Sequence, residues 1–292
     1  MGGRTLDLRR GLWYNTAMEV CDVVIAATRP ALRRGARLGL LLLAAVLACS
    51  ATVRAQSPAR PRVLMVTYSG GYQHDVVRRA SPDRLSLAEQ TVVELGARSG
   101  AFDTSRLYSR EDLERLSADA FAEVRAVLFY TTGSLPLRPE ARQALLRFVQ
   151  RGGGFVGVHC ATDTWYEVPE YGELVGAYFD GHPWTQRVRL VVEDPSHPST
   201  KHLGPGLEIT DEIYQFRNWS RDKVHVLLKL DPRSVDVGKG KRADQDYAIS
   251  WIRRHGRGRV FYTALGHGRE VWEDERFRLH LLEGIRWAMG GR

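Results

Sequence analysis

The hydrophobic pattern changes character along the chain. Leu38 to Ala48 is an isolated apolar run of eleven residues. From residue 63 onward, short apolar runs alternate with segments of helical period. Val63 to Tyr68 is an apolar run suited to a strand buried on both faces, and a Gly-rich turn, Ser69 to His74, follows it. Leu87, Val92, Val93 and Leu95 recur at helical spacing and predict a helix over 83–98, beginning after Ser81 and Pro82. The alternation continues with a strand over 102–108, a short helix over 111–116, a central strand over 126–130, a helix over 139–150 and a strand over 155–159. Strands and helices at this spacing imply βαβ units and a parallel sheet. Beyond Pro183 the pattern changes. Arg187 to Val192 alternates charged and apolar residues as a half-exposed strand does, and further strands are expected over 208–214, 224–230, 247–252 and 259–263. An amphipathic helix over 277–289 closes the chain. No linker interrupts residues 62–290, which read as one elaborated domain.

The apolar run at 38–48 takes its meaning from its flanks. Arg29, Arg33, Arg34 and Arg37 precede it, and small and polar residues follow. A basic stretch, a short apolar stretch and a small-residue end make a secretory leader. A membrane span needs about 20 apolar residues, so the run is too short for one. Residues 1–55 are therefore expected to be removed, with cleavage after Ala55, and residues 56–61 to be a linker. Cys49, after Val46, Leu47 and Ala48, offers lipidation as the lesser alternative, and Met18 is an alternative start. The expected location is periplasmic or extracellular, with no stable membrane insertion unless Cys49 is lipidated. Without the leader the chain keeps 34 basic and 31 acidic residues, a net charge of +3 against +8 for the whole. Basic residues are scattered apart from Lys239, Lys241 and Arg242, which suit a solvated loop, so no nucleic-acid partner is expected. Cys21 and Cys49 lie in the leader, leaving Cys160 without a disulfide partner.

The most informative segment is GGGFVGVHCATDT over 152–164. A strand runs directly into a polar turn, the position where hydrolases with a nucleophile elbow carry their nucleophile. His159 falls at the apex, and Cys160 is read as a small buried residue beneath it. The longer segments GGGFVGVHCATDTWYEVPEYGELVGAYFDGHP (152–183), DEIYQF (211–216) and FYTALGH (261–267), with GYQHD (71–75), closely resemble the ThuA-like (trehalose utilisation) family. The resemblance runs over residues 62–290. It implies a fold similar to the class I glutamine amidotransferases, a flavodoxin-like three-layer sandwich with a mainly parallel sheet, elaborated by extra strands in the C-terminal half. It also implies a role in carbohydrate catabolism. Those amidotransferases hold Cys at the elbow, whereas His159 stands there here, which argues against glutaminase chemistry.

Polar residues gather after the predicted strands, where α/β sheets bind ligands. His74 and Asp75 follow the first strand, Asp163 the fourth, and His267 the last. Asp211, Glu212 and Tyr214 end a later strand, and His182 precedes Pro183. Histidine suits proton transfer near neutral pH, and a carboxylate can fix its tautomer. The expected catalytic set is His159, His267, Glu212, His74 and Asp163. His159 or His267 would be the general base, with Glu212 or Asp163 as its partner or as the acid. Asp75, Tyr72, Trp165, Tyr166, His182, Asp211 and Tyr214 are expected to bind substrate, with Trp165 a candidate pocket wall. His197, His202 and His225 are read as turn or strand residues. The chain has no HExxH and no Cys pairs, so no cofactor is expected, with a divalent metal as the lesser alternative. The glycines at 152–154 precede a strand instead of opening a helix, so they make no dinucleotide loop, and GxxxxGK followed by Ser or Thr does not appear. The leading expectation is acid/base hydrolysis, elimination or isomerisation of a sugar or keto-sugar. A sugar-binding module without catalysis and an interaction subunit are the alternatives. Separation of His159 and His267 by more than about 10 Å would exclude concerted proton transfer.

Overall fold

A computed structural model describes residues 59–291. The expected leader, its expected cleavage site and Cys49 lie outside the described residues. Nine strands form the main sheet, in the order β2-β1-β3-β4-β11-β10-β9-β6-β7. The first half comprises β1 (Arg62–Val66), β2 (Asp103–Leu107), β3 (Ala126–Phe129), β4 (Gly154–Val158) and β11 (Gly258–Thr263). All four pairings among these five strands are parallel. The order is that of flavodoxin-like sheets, with β1 and β3 flanking the point where the winding reverses. The strands β1, β3 and β4 are apolar almost throughout and buried on both faces.

The second half is antiparallel. It comprises β6 (Trp184–Val192), β7 (Gly206–Ile213), β9 (His225–Leu230) and β10 (Ala248–His255). A separate two-stranded ribbon joins β5 (Tyr178–Phe179) to β8 (Phe216–Arg217). The half-exposed strand expected from Arg187 begins earlier, at Trp184, because Trp184 and Val188 alternate inward with Leu190.

Helices cover the sheet. The helix α1 (Leu87–Ser99) packs with α5 (Arg269–Glu273) and α6 (Glu275–Ala288). The helix α3 (Pro139–Gln150) packs with α4 (Pro169–Val175), and α2 (Arg110–Arg115) follows β2. Right-handed crossovers that leave β1 and β3 in opposite directions put α1 and α3 on opposite faces. Helix α1 starts at Leu87, four residues later than its periodicity predicts. Ser86 caps it, accepting from the Glu89 amide while the Glu89 carboxylate accepts from the Ser86 amide.

That cap belongs to a buried ion pair. Glu89 is fully buried and accepts from the Thr67 hydroxyl at 2.9 Å and from Arg79 Nε and Nη2 at 2.8 and 2.7 Å. Burial works to raise the Glu89 carboxyl, and the Arg79 bonds outweigh it and hold the group below its ordinary range. The guanidinium also lies 3.5 Å over the Tyr108 ring. Glu89 thus ties the end of β1, the start of α1 and the loop between them into one unit. Removing one member of such a pair strands the other charge. Arg79→Met is expected to cost about 3 kcal/mol or more in urea unfolding, and a loss below about 1 kcal/mol would contradict this role.

Candidate functional site

Three strand-end turns are bonded to one another at the carboxyl rim. The Gly70 amide donates to Thr132 O at 2.7 Å, and the Thr132 hydroxyl donates to Tyr72 O at 2.8 Å. This joins the turn after β1 to the turn after β3. The close approach needs glycine on both sides. A Cβ on Gly70 would stand 2.4 Å from Ser134 O, and Gly133 has φ +67° with Gly70 beside it. The Gly133 amide donates to Asp163 O at 2.7 Å, and Thr164 bonds Thr131 through its hydroxyl. The turn after β4 is thereby fixed to the turn after β3.

His159 occupies the apex of the β4 turn, fully buried, with φ +47°. Left-handed backbone in a residue without glycine's freedom costs on the order of 1–3 kcal/mol and tends to mark functional positions. Its Nδ1 lies 2.7 Å from Ala264 O. A carbonyl can only accept, so Nδ1 carries a proton and Nε2 is the ring nitrogen left to face the site. Tyr214 lies against the same ring, 4.3 Å between centroids. Cys160 is buried behind the apex, and burial pushes its thiol well above the ordinary range, so it is no nucleophile.

His74, His159 and His267 meet at this rim. Their ring centroids are 4.9, 5.2 and 5.4 Å apart. The separation of His159 and His267 lies within the limit for concerted chemistry. Burial, reinforced by the two neighbouring imidazoles, holds His74 down to about 3, so it is neutral at physiological pH. Glu212 completes the set. Its Oε2 lies 3.5 Å from His159 Nε2 and 3.2 Å from His267 Nδ1, and its Oε1 lies 3.3 Å from His182 Nδ1. Burial works to raise Glu212, but its contacts with His159 and His267 outweigh this and keep it ionised. The same contact raises His267.

Glu212 comes from β7, four strands beyond β11 in the sheet order. In a flat sheet that is about 19 Å away. The sheet instead curls. The strand β6 pairs with β9 only over Leu190–Val192, leaving its other end free to carry β7 over the rim. Asp211, buried beside Glu212, fastens it there. Its carboxylate accepts from the Gly266 amide at 2.8 Å and the His267 amide at 3.1 Å. Tyr130 Oη and Trp272 Nε1 donate to Gly266 O at 3.0 and 2.8 Å from the other side.

The structure thus brings together His74, His159, His267 and Glu212, with His182 at the solvent side, its side chain 49% exposed. Others fall elsewhere. Trp165, a candidate pocket wall by sequence, is 1% exposed and packs on Phe129 and Tyr171 in the core. Asp163 partners neither His159 nor His267 by hydrogen bond; it accepts from Tyr166 Oη at 2.6 Å. Asp211 binds main chain, leaving it a positioning residue. Asp75 is exposed and pairs with Arg78 at 3.3 Å. Tyr72 is 65% exposed and edges onto His74, and Tyr166 is 39% exposed. Tyr130, which no motif singles out, packs against His74 and His159 at 5.5 and 5.9 Å. Its position at the end of β3, at the winding switch, was its only sequence signal.

The fold and site are those of an α/β protein with a flavodoxin-ordered sheet, a histidine at the elbow and a carboxylate returned from an added antiparallel layer. Residues 62–288 match the family model described as ThuA, trehalose utilisation, and the chain belongs to that family. Among solved structures it is similar to a ThuA-like protein from Parabacteroides merdae, with 19% identity over 80% of this chain and 91% of that one and a TM-score of 0.62. A ThuA-like protein from Bacteroides uniformis shows 24% identity, 80% and 93% coverage and the same TM-score. The cytoplasmic protein STM1381 from Salmonella typhimurium aligns at 14% identity, over 78% and 96% of the two chains, with a TM-score of 0.52. At these identities the likeness is one of fold. No curated protein matches the chain.

Asp211 generates a direct expectation. Asp211→Ala strands two amide donors at the rim, at about 1–3 kcal/mol each. Chemical denaturation should show a loss of at least about 2 kcal/mol, with faster hydrogen exchange at the Gly266 and His267 amides. Unchanged stability and exchange would show that the carboxylate does not hold the turn.

Proposed function

We propose that this protein is an enzyme of carbohydrate catabolism that moves a proton on a sugar or keto-sugar bound over the carboxyl rim. The observation that carries the reading is the position of Glu212, whose carboxylate lies 3.2–3.5 Å from three imidazoles of different exposure. A carboxylate shared in this way lets a proton be held, passed and returned within one centre. His182, on the solvent side, connects that centre to bulk water. Tyr72 and Tyr166 offer exposed aromatic faces of the kind on which sugar C–H faces stack. The trehalose utilisation family supports the substrate class. The basic and apolar leader sequence supports work outside the cytoplasm. Hydrolysis, elimination and isomerisation all use such a centre, and a keto-sugar is the most reactive substrate for it, because its carbonyl acidifies the neighbouring C–H.

The test is proton exchange itself. Disaccharides and their keto derivatives are incubated with the protein in D2O and followed by proton NMR. Turnover, or loss of the signal next to the carbonyl, is expected, and Glu212→Gln should slow it by about 100-fold or more with its melting curve intact. Binding without exchange or turnover would make the protein a sugar-binding module instead.

A further inference from the structure

We infer that His74, His159, His267 and Glu212 form a binding site for a divalent first-row transition metal. Each offers one ligand atom, and the four atoms lie within 4.8 Å of one another. Three of these side chains present a buried ring nitrogen with no hydrogen-bond partner: His74 Nδ1, His159 Nε2 and His267 Nδ1. Buried polar atoms are nearly always satisfied, and three orphans at one point indicate a shared partner.

The tautomer of His159 sharpens this. Its Nδ1–H is committed to Ala264 O, so Nε2, which has no hydrogen-bond partner, is the atom that faces the Glu212 carboxylate, at 3.5 Å. Beside an ionised carboxylate this nitrogen calls for an electropositive partner, a proton or a metal ion, and a metal ion serves all three unpartnered nitrogens at once. His267 Nδ1 approaches the same oxygen at 3.2 Å, also without hydrogen-bond geometry. A metal with ligand bonds of about 2.1 Å holds neighbouring ligand atoms about 3.0–3.4 Å apart and opposite ones about 4.2 Å apart. The His267 contact at 3.2 Å falls within the shorter spacing and the His159 contact at 3.5 Å lies about 0.1 Å beyond it, while no pair in the set is more than 4.8 Å apart. The support around the ligands has the form that metal histidines require. A backbone carbonyl fixes the His159 tautomer, and Asp211 anchors the His267 main chain.

Imidazole and carboxylate together favour zinc, iron, cobalt or nickel over calcium or magnesium, which take oxygen ligands. Four protein ligands leave room for one substrate oxygen in a five-coordinate ion. Such an ion would polarise a sugar carbonyl or hydroxyl, while His182, the half-exposed neighbour of Glu212, carries the proton. That catalytic role rests on the carbohydrate reading above; the presence of the site does not.

The experiment uses the full chain without an affinity tag, stripped with a chelator and titrated with Zn2+ and with Co2+. Binding of one ion per chain at micromolar or lower dissociation constant is expected by equilibrium dialysis with elemental analysis, with a visible absorption band for Co2+. His74→Gln and Glu212→Gln should each weaken binding at least about 10-fold, whereas His197→Gln, remote from the rim, should leave it unchanged. Circular dichroism confirms that each variant is folded. The site is overturned if the stripped protein takes up no stoichiometric ion, or if both rim variants bind as the parent does. A chain that binds the ion but turns over no sugar upholds the site and overturns the carbohydrate reading. Full sugar turnover by a chain that takes up no ion upholds that reading and overturns the site.

Discussion

The rim depends on one contact, the carboxylate of Asp211 across the amides of Gly266 and His267. It closes the sheet back on itself. Without it, β7 is an edge strand far from the parallel half, and Glu212 beside it reaches nothing. With it, a carboxylate from an antiparallel layer is set among imidazoles from the ends of β1, β4 and β11. The contact also explains why a buried acid lies next to the acid that faces the site. Alternation along β7 sends Asp211 to the packed side and Glu212 toward His159, His182 and His267. Burial pushes the Asp211 carboxyl upward, and the two amide bonds are what it receives in return for lost solvation.

The same economy governs the other turns. Backbone bonds at Gly70 and Gly133, with the Thr132 and Thr164 hydroxyls, tie the turns after β1, β3 and β4 together. These bonds fix position without occupying the imidazoles and the carboxylate that face the site. His159 is held left-handed at the apex by these neighbours, and its ring is fixed by Ala264 O on one side and Tyr214 on the other. A strained, fully packed imidazole with one bare nitrogen is a preorganised group.

The parallel half was legible because its strands are short apolar runs separated by helices of clear period, and each reading of β1, β3 and β4 agrees with the structure to within a residue or two. Periodicity places the α1 start too early because it does not register the Ser86 cap or the buried charge of Glu89. Convergence of His74, His159 and His267 was legible from their positions after strands. The arrival of Glu212 was suggested by its motif, but nothing local encodes the curl of β6 and β7 that delivers it. Trp165 looked like a pocket wall because it follows a strand beside Asp163. Its backbone turns left-handed at φ +51°, and the ring lies in the core against Tyr171. Tyr130 goes unmarked for the opposite reason, as an aromatic at the end of a core strand carries no sign of what lies above it.

The central claim is that three bare ring nitrogens converge on a point beside Glu212. Long-range proton–nitrogen correlation NMR on the full chain reads each imidazole nitrogen separately. The account predicts His159 protonated at Nδ1 and bare at Nε2. It also predicts that zinc moves the resonances of His74 Nδ1, His159 Nε2 and His267 Nδ1 while leaving those of His197 and His280 in place. Protonation of His159 at Nε2, or no response of the three nitrogens to zinc, would contradict it.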